Sequence, residues 1–184
     1  MGVTQAAGYS LAWFQENIGT EYARKAKEQG CGAFDLINAD VQKTPIGANR
    51  LIYLPYLNGE RTPHVDPNCR GVFFGLSSMH TTADMARAVM EGIQYSLTDC
   101  NDIIKEMGIE VSEMMACGGG AKNAVQRQMM ADMFGCDVKT VTATEGPALG
   151  VAILAGVGAG LYESVESACR QMIPVSYTHL RAHE

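Results

Sequence analysis

Three consecutive glycines, Gly118, Gly119 and Gly120, separate a short apolar run from an amphipathic one, and this junction constrains the chain more than any other stretch. Met114 to Cys117 has the composition of a strand buried on both faces. From Ala121 the apolar positions Val125, Met129, Met130 and Met133 recur three or four residues apart, the spacing of one helix face. The stretch Glu113–Gly135 therefore reads as strand, turn and helix. Without Cβ atoms at three adjacent positions, backbone N–H groups can approach a bulky ligand and the chain can adopt φ > 0. Asn123, in the first turn of the expected helix, places a polar group beside the donors that a helix N-terminus leaves unpaired. Such a place suits a nucleotide.

The residues of the turn leave several readings open. The P-loop string G-x-x-x-x-G-K-[ST] does not occur. A dinucleotide fingerprint G-x-G-x-x-G would begin at Gly118, but its last glycine falls on Asn123, while Glu145 stands about one strand further on. A third reading is the adenosine-binding turn of the actin, hexokinase and Hsp70 class of phosphotransferases. A fourth needs glycine only for close packing of strand on helix.

Upstream, Leu11, Trp13, Phe14 and Ile18 predict an amphipathic helix from Thr4 to Asn17, and a more charged helix runs from Thr20 to Gln29 and stops at Gly30. Between Cys31 and Asn49 only turn signals stand out, which predicts a long loop. Leu51–Leu54 is a short strand stopped by Pro55. It leads into a polar loop carrying Glu60, Arg61, His64 and Asp66, held by Pro63 and Pro67, that reads as a site edge or a solvated surface loop. His64 has the chemistry of a general base, but no Ser or Cys nucleophile is paired with it by spacing.

Gly71–Leu76 reads as a strand. Thr81 and Asp84 form a capping box for one long helix whose apolar face runs from Met85 through Val89, Ile93, Leu97 and Ile104 to Met107, ending at Gly108. Beyond the glycine turn come a strand, Val138–Val141, and a helix begun by Pro147 at a first-turn position where its missing N–H costs nothing. A short helix, Glu163–Met172, follows. The alternation of strand and helix over residues 71–160 predicts an α/β layer fold with crossover helices. Residues 174–184 do not extend this pattern and read as a tail foreign to the rest, and His179 and His183 within it have i, i+4 spacing without the acid of a zinc helix.

A chain of 184 residues suits one domain or a piece of something larger. With 47% hydrophobic and 18% charged residues it is globular in composition, and a net charge of −6 offers no basic stripe for nucleic acid. No apolar run reaches the ~20 residues needed to cross a bilayer, so no membrane partner is expected. The six cysteines lack C-x-x-C spacing and mostly sit in apolar surroundings, which fits reduced thiols in the core of a cytoplasmic protein. The N-terminus lacks the basic region of a secretory signal.

Three stretches carry a family resemblance. Leu54–Pro67 (LPYLNGERTPHVDP), Gly71–Gly92 (GVFFGLSSMHTTADMARAVMEG) and CGGGAKN with EGPALGVA, Glu145–Ala152, resemble the C-terminal half of the FGGY carbohydrate kinases, and together they span most of residues 1–173. The resemblance implies an α/β fold: the actin-like, ribonuclease-H-like ATPase domain, a mixed sheet with flanking helices. It implies a reaction in which a sugar hydroxyl attacks the γ-phosphoryl of Mg²⁺-bound ATP in a cleft between two domains, with an aspartate as base. It places the adenosine contacts on Gly118, Gly119, Gly120 and Asn123. No catalytic or metal-binding residue is expected in this chain, because the resemblance puts the aspartate, the sugar site and the first phosphate loop upstream of Met1. The small-molecule sugar would bind through that N-terminal domain, and a homodimer is among the assemblies allowed. The GERTP loop favours D-xylulose over glycerol as the sugar, with glycerol, gluconate, ribulose and fuculose as alternatives, and a non-catalytic nucleotide-binding module is the alternative outside the kinases.

Overall fold

The structure is a computed structural model that describes residues 2–141, 146–173 and 175–180. It divides into two compact units, Met1–Val111 and Ser112–Glu184.

The first unit is built around one long helix. Its helices are α1 (Ala7–Asn17), α2 (Thr20–Gln29), α3 (Ala33–Lys43) and α4 (Thr82–Glu106), with strands β1 (Ile52–Leu54) and β2 (Val72–Phe74) between α3 and α4. The predicted capping box starts α4: the Thr81 N–H donates to Asp84 Oδ2 at 2.7 Å and the Asp84 N–H to Thr81 Oγ1 at 3.3 Å. Gly108, with φ +80°, lies just past its end, as the sequence predicts. Along its buried face α4 packs on α1, α3 and β1, covering Phe14, Ile37, Val41, Leu51 and Tyr53. The approach to β1 is so close that a Cβ on Gly92 would lie 2.2 Å from the Tyr53 carbonyl oxygen.

The expected loop over residues 31–49 is a correction. It contains α3, whose Phe34, Ile37 and Val41 fall on one face, with Ile37 and Val41 fully buried. The Asp35 carboxylate accepts from the Gly32 N–H at 3.1 Å and starts the helix without a conventional capping residue. Gly32 and Pro45 punctuate its ends, not its interior.

After α3 the backbone turns left-handed. Gly47, Ala48, Asn49 and Arg50 all have positive φ, from 45° to 80°, a conformation costing non-glycine residues about 1–2 kcal/mol each. The turn is held from α4 and the residue before its cap. Glu91 accepts from the Gly47 N–H at 3.0 Å, Asp84 accepts from the Asn49 amide at 2.8 Å, and His80 Nε2 meets the Asn49 carbonyl at 3.2 Å. The His80 Nδ1 accepts from the Ser77 N–H at 2.9 Å, so the Nε2 carries the proton it donates to Asn49.

The second unit holds β3 (Glu113–Ala116), α5 (Ala124–Phe134), β4 (Asp137–Val141), α6 (Pro147–Gly158), α7 (Val165–Met172) and β5 (Val175–Leu180). β3 and β4 are parallel, with Glu113 opposite Asp137 and Ala116 opposite Thr140, so α5 is the crossover between them. β5 runs antiparallel to β4, making the sheet mixed in the order β3-β4-β5. Ala116, Ala121, Ala131 and Val138 form its core, flanked by Met114 and Met130.

The predicted alternation over residues 71–160 thus breaks in two. β2 pairs antiparallel with β1, Ile52 opposite Phe74, in a separate two-stranded sheet. Among the described residues only β3-α5-β4 is a crossover of the expected kind, because local composition marks a strand without naming its partner. Pro147 opens α6 as predicted, whereas Glu145 lies outside the described residues. His179 falls in a strand and His183 outside the described residues, so the helical pairing of the two has no support among the described residues.

Candidate functional site

The glycine turn joins β3 to α5 and brings Gly118, Gly119, Gly120 and Asn123 together. Gly118 has φ +82°, which demands glycine. Gly119 is in an ordinary helical conformation, φ −62° and ψ −41°, and a Cβ there would meet nothing within 4 Å. Both are exposed. A Cβ on Gly120 would instead come 2.8 Å from Gln126 Oε1, so this third glycine answers to packing from below. The turn therefore has an open outer side and a filled inner side.

Asn123 is the N-cap of α5 and not a residue of its first turn. Its Oδ1 accepts from the Val125 N–H at 2.9 Å, satisfying one of the donors that the helix start would leave unpaired. Between Gly120 and Lys122 the chain makes a single 3-10 turn, with the Lys122 N–H donating to Gly119 and the Asn123 N–H to Gly120, each at 3.2 Å. Arg127, one helical turn on, reaches back so that Nη1 donates to the Ala121 carbonyl at 2.5 Å. The exposed Cys117 lies between the end of β3 at Ala116 and the glycines.

In the first unit, the loop carrying Glu60, Arg61, His64 and Asp66 is closed by reciprocal backbone bonds, Glu60 N–H to Asp66 O at 2.9 Å and Asp66 N–H to Glu60 O at 3.0 Å. Glu60 is 4% exposed and fully engaged. Its Oε1 accepts from the Gln5 and Arg61 N–H groups at 2.8 and 2.7 Å, and its Oε2 from the Ser96 hydroxyl at 3.3 Å. It thus ties the N-terminal segment, the loop and α4 into one piece. Asp66 accepts from the Asn68 N–H at 2.7 Å. His64 meets the Tyr56 hydroxyl through Nε2 at 3.1 Å, not a nucleophile. Burial, then the charges of Asp99 and Glu60, pushes the Tyr56 phenol up, so it stays a hydroxyl. A 220 Å³ cavity beside this loop is lined by Gln5, Asn58, Glu60, Arg61, Val65 and Pro67.

Sequence reasoning missed the pair Arg87 and Glu91. Their side chains are 9% and 4% exposed, and Arg87 Nε donates to Glu91 Oε1 at 2.6 Å. Arg87 Nη1 also donates to the Val41 and Thr44 carbonyls at 2.9 Å each, capping the C-terminus of α3 from the side. The available signal was an opposite-charge pair at i, i+4 within an otherwise apolar run, Ala86–Met90. The cysteine expectation needs correction as well. Only Cys100 and Cys136 are buried, whereas Cys31 and Cys117 are exposed and Cys69 and Cys169 half-buried.

This geometry agrees with the comparisons to known proteins. The signature described as "FGGY family of carbohydrate kinases, C-terminal domain" matches residues 1–159. The chain belongs to that family. Its sequence is 43% identical to a xylulose kinase of Staphylococcus epidermidis over 175 residues, covering 95% of this chain and 33% of that protein. A gluconokinase of Bacillus subtilis is 33% identical over 179 residues, covering 97% of this chain and 35% of that protein. Among solved structures, the ligand-bound xylulose kinase of Lactobacillus acidophilus superposes with a TM-score of 0.81 at 29% identity, over 98% of this chain and 34% of that one. The fold is that of these sugar kinases, the actin-like ATPase fold. The chain spans about a third of the length of the relatives it matches.

Proposed function

We propose that this chain supplies the adenosine-binding, nucleotide-side domain of an ATP-dependent sugar kinase, residues 1–173 forming that domain and 174–184 a tail foreign to it. In the whole enzyme a hydroxyl of D-xylulose attacks the γ-phosphoryl of ATP, giving D-xylulose 5-phosphate and ADP. The observation that carries the reading is the glycine turn: Gly118 and Gly119 are exposed with open space above them, next to a capped helix start. That combination fits a planar nucleoside lying against bare backbone. The higher identity to a xylulose kinase than to a gluconokinase favours D-xylulose over gluconate.

The acids of this chain that lie near its motifs are committed to structure. Asp84 caps α4, Glu60 accepts three hydrogen bonds, and Asp66 closes its own loop. None is assigned as the base that takes the sugar's proton. Among the described residues no three His, Cys, Asp or Glu side chains converge to hold a metal ion. What this chain contributes is position: it holds the nucleoside while the transferred phosphoryl is handled elsewhere.

The test is ATP binding to the chain by calorimetry, with Gly119→Val, Asn123→Ala and Asn123→Asp alongside. Gly119 has a conformation any residue accepts and free space around it, so valine there leaves the fold intact and blocks the ligand. Aspartate at 123 keeps the cap that alanine loses. Binding weakened at least about tenfold by Gly119→Val, 1.4 kcal/mol, supports the site. Equal binding by wild type and Gly119→Val removes it.

A further inference from the structure

We propose that Arg127 is the positioning residue of the glycine turn, fixing the backbone that the nucleoside lies on; this rests on the turn being the adenosine site. Asn123 caps α5 through the Val125 N–H, and among the described residues the preceding turn carries two 3-10 contacts of 3.2 Å. The stronger tether comes from the helix side. Arg127 Nη1 donates to the Ala121 carbonyl at 2.5 Å, while the Arg127 N–H donates to the Asn123 carbonyl at 3.0 Å. One residue therefore grips both ends of the segment 121–123, through its side chain and its backbone. Gln126, buried beneath Gly120, blocks inward collapse.

The cost of this arrangement is visible. The Arg127 Nε is buried and has no hydrogen-bond partner among the described residues. A buried donor left unpaired costs free energy, and a structural clamp could use a smaller group. A guanidinium suits this place because its fork is rigid: a planar, pre-organised donor fixes a carbonyl more sharply than a flexible ammonium. With the Ala121 carbonyl drawn toward α5, the Gly118–Gly119 backbone keeps its outer side open.

The experiment pairs two readouts on Arg127→Met and Arg127→Lys in the full chain. Amide hydrogen exchange reports the turn directly. Arg127→Met should raise exchange at Lys122 and Asn123 about tenfold while Met129, Ala131 and Val138 keep their protection, and Arg127→Lys should recover part of it. Calorimetry should show ATP affinity falling about tenfold in Arg127→Met and less in Arg127→Lys. Unchanged exchange at the turn, with ATP still bound by wild type, overturns the role of Arg127 and leaves the nucleotide site standing. A loosened turn in a wild-type background that binds no ATP overturns the nucleotide site, and this role with it. Loss of protection throughout Arg127→Met makes Arg127 a general stability residue and also overturns the proposal, unless Arg127→Lys, folded, shows the turn-specific change.

Discussion

The buried pair Arg87–Glu91 sets up a double-mutant cycle whose size follows from the contacts. Removing Glu91 as Glu91→Leu leaves the Arg87 guanidinium buried beside two carbonyls and removes the acceptor of the Gly47 N–H. Removing Arg87 as Arg87→Met strands a buried carboxylate and takes the guanidinium donor from the Val41 and Thr44 carbonyls, leaving the Thr44 N–H at 3.2 Å on Val41. Breaking one side of a buried pair typically costs about 3–5 kcal/mol. Both groups are below 10% exposed, so screening by water relieves little of this, and Arg87→Met should sit toward the upper end. In the double variant neither charge of the pair remains. Its loss should be smaller than the sum of the singles by about 2 kcal/mol or more, since contacting residues couple this strongly. Urea unfolding followed by far-UV circular dichroism gives all four corners, with m-values confirming a common denatured state. Additive singles, or a cost below about 1 kcal/mol for Arg87→Met, would refute the claim that the pair is the joint between α3 and α4.

Four further outcomes are expected. Gly92→Ala should destabilise by about 1–3 kcal/mol despite alanine's better helix propensity, because its Cβ would sit 2.2 Å from the Tyr53 carbonyl; thermal unfolding measures it, and a rise in Tm would contradict the packing. For Asp84, burial pushes the carboxyl up, but bonds from Thr81 and Asn49 and the neighbouring His80 outweigh it and hold it below the ordinary value. A depressed folded-state pKa stabilises fully above the unfolded value and is lost as pH falls through the folded one. The stability gap between wild type and Asp84→Asn should therefore narrow below about pH 4, and a gap constant with pH would oppose this. Thiol labelling of the native chain should modify Cys31 and Cys117 first and Cys100 and Cys136 last, with burial raising the Cys100 thiol further; ATP should slow Cys117 alone. Deleting residues 174–184 should leave ATP affinity unchanged within about threefold if the tail is foreign, and a larger loss in calorimetry would show that the pairing of β5 with β4 matters.

Local rules made much of this fold readable. The capping box, the glycine ends of α2 and α5, and the strand–turn–helix over residues 113–135 all depend on neighbours within a few positions, and all appear where the sequence predicts. α3 was hidden because its apolar face is short, Phe34, Ile37 and Val41, and its end is completed by Arg87, more than forty positions away. The partner of β2 was hidden for a related reason: the run GVFFGL has strand composition whichever strand it joins. In the candidate site, the glycines were legible as an opening, but only the folded backbone and its neighbours separate them. Gly118 is required by φ, Gly120 has the Gln126 amide oxygen against it, and Gly119 has neither constraint.

The left-handed turn at residues 47–50 has a consequence for the order of events during synthesis. Its partners, His80, Asp84 and Glu91, lie 31 to 44 positions downstream. On the ribosome the turn is made first and meets its anchors only after the first half of α4 has followed it out. Until then the left-handed turn rests on local bonds such as Ala48 N–H to Pro45 O and Arg50 N–H to Gly47 O, and α3 lacks the Arg87 donor at its last carbonyls. A nascent chain paused before residue 91 should therefore expose Ile37 and Val41, and chaperone binding or proteolysis should concentrate there until translation completes the anchor.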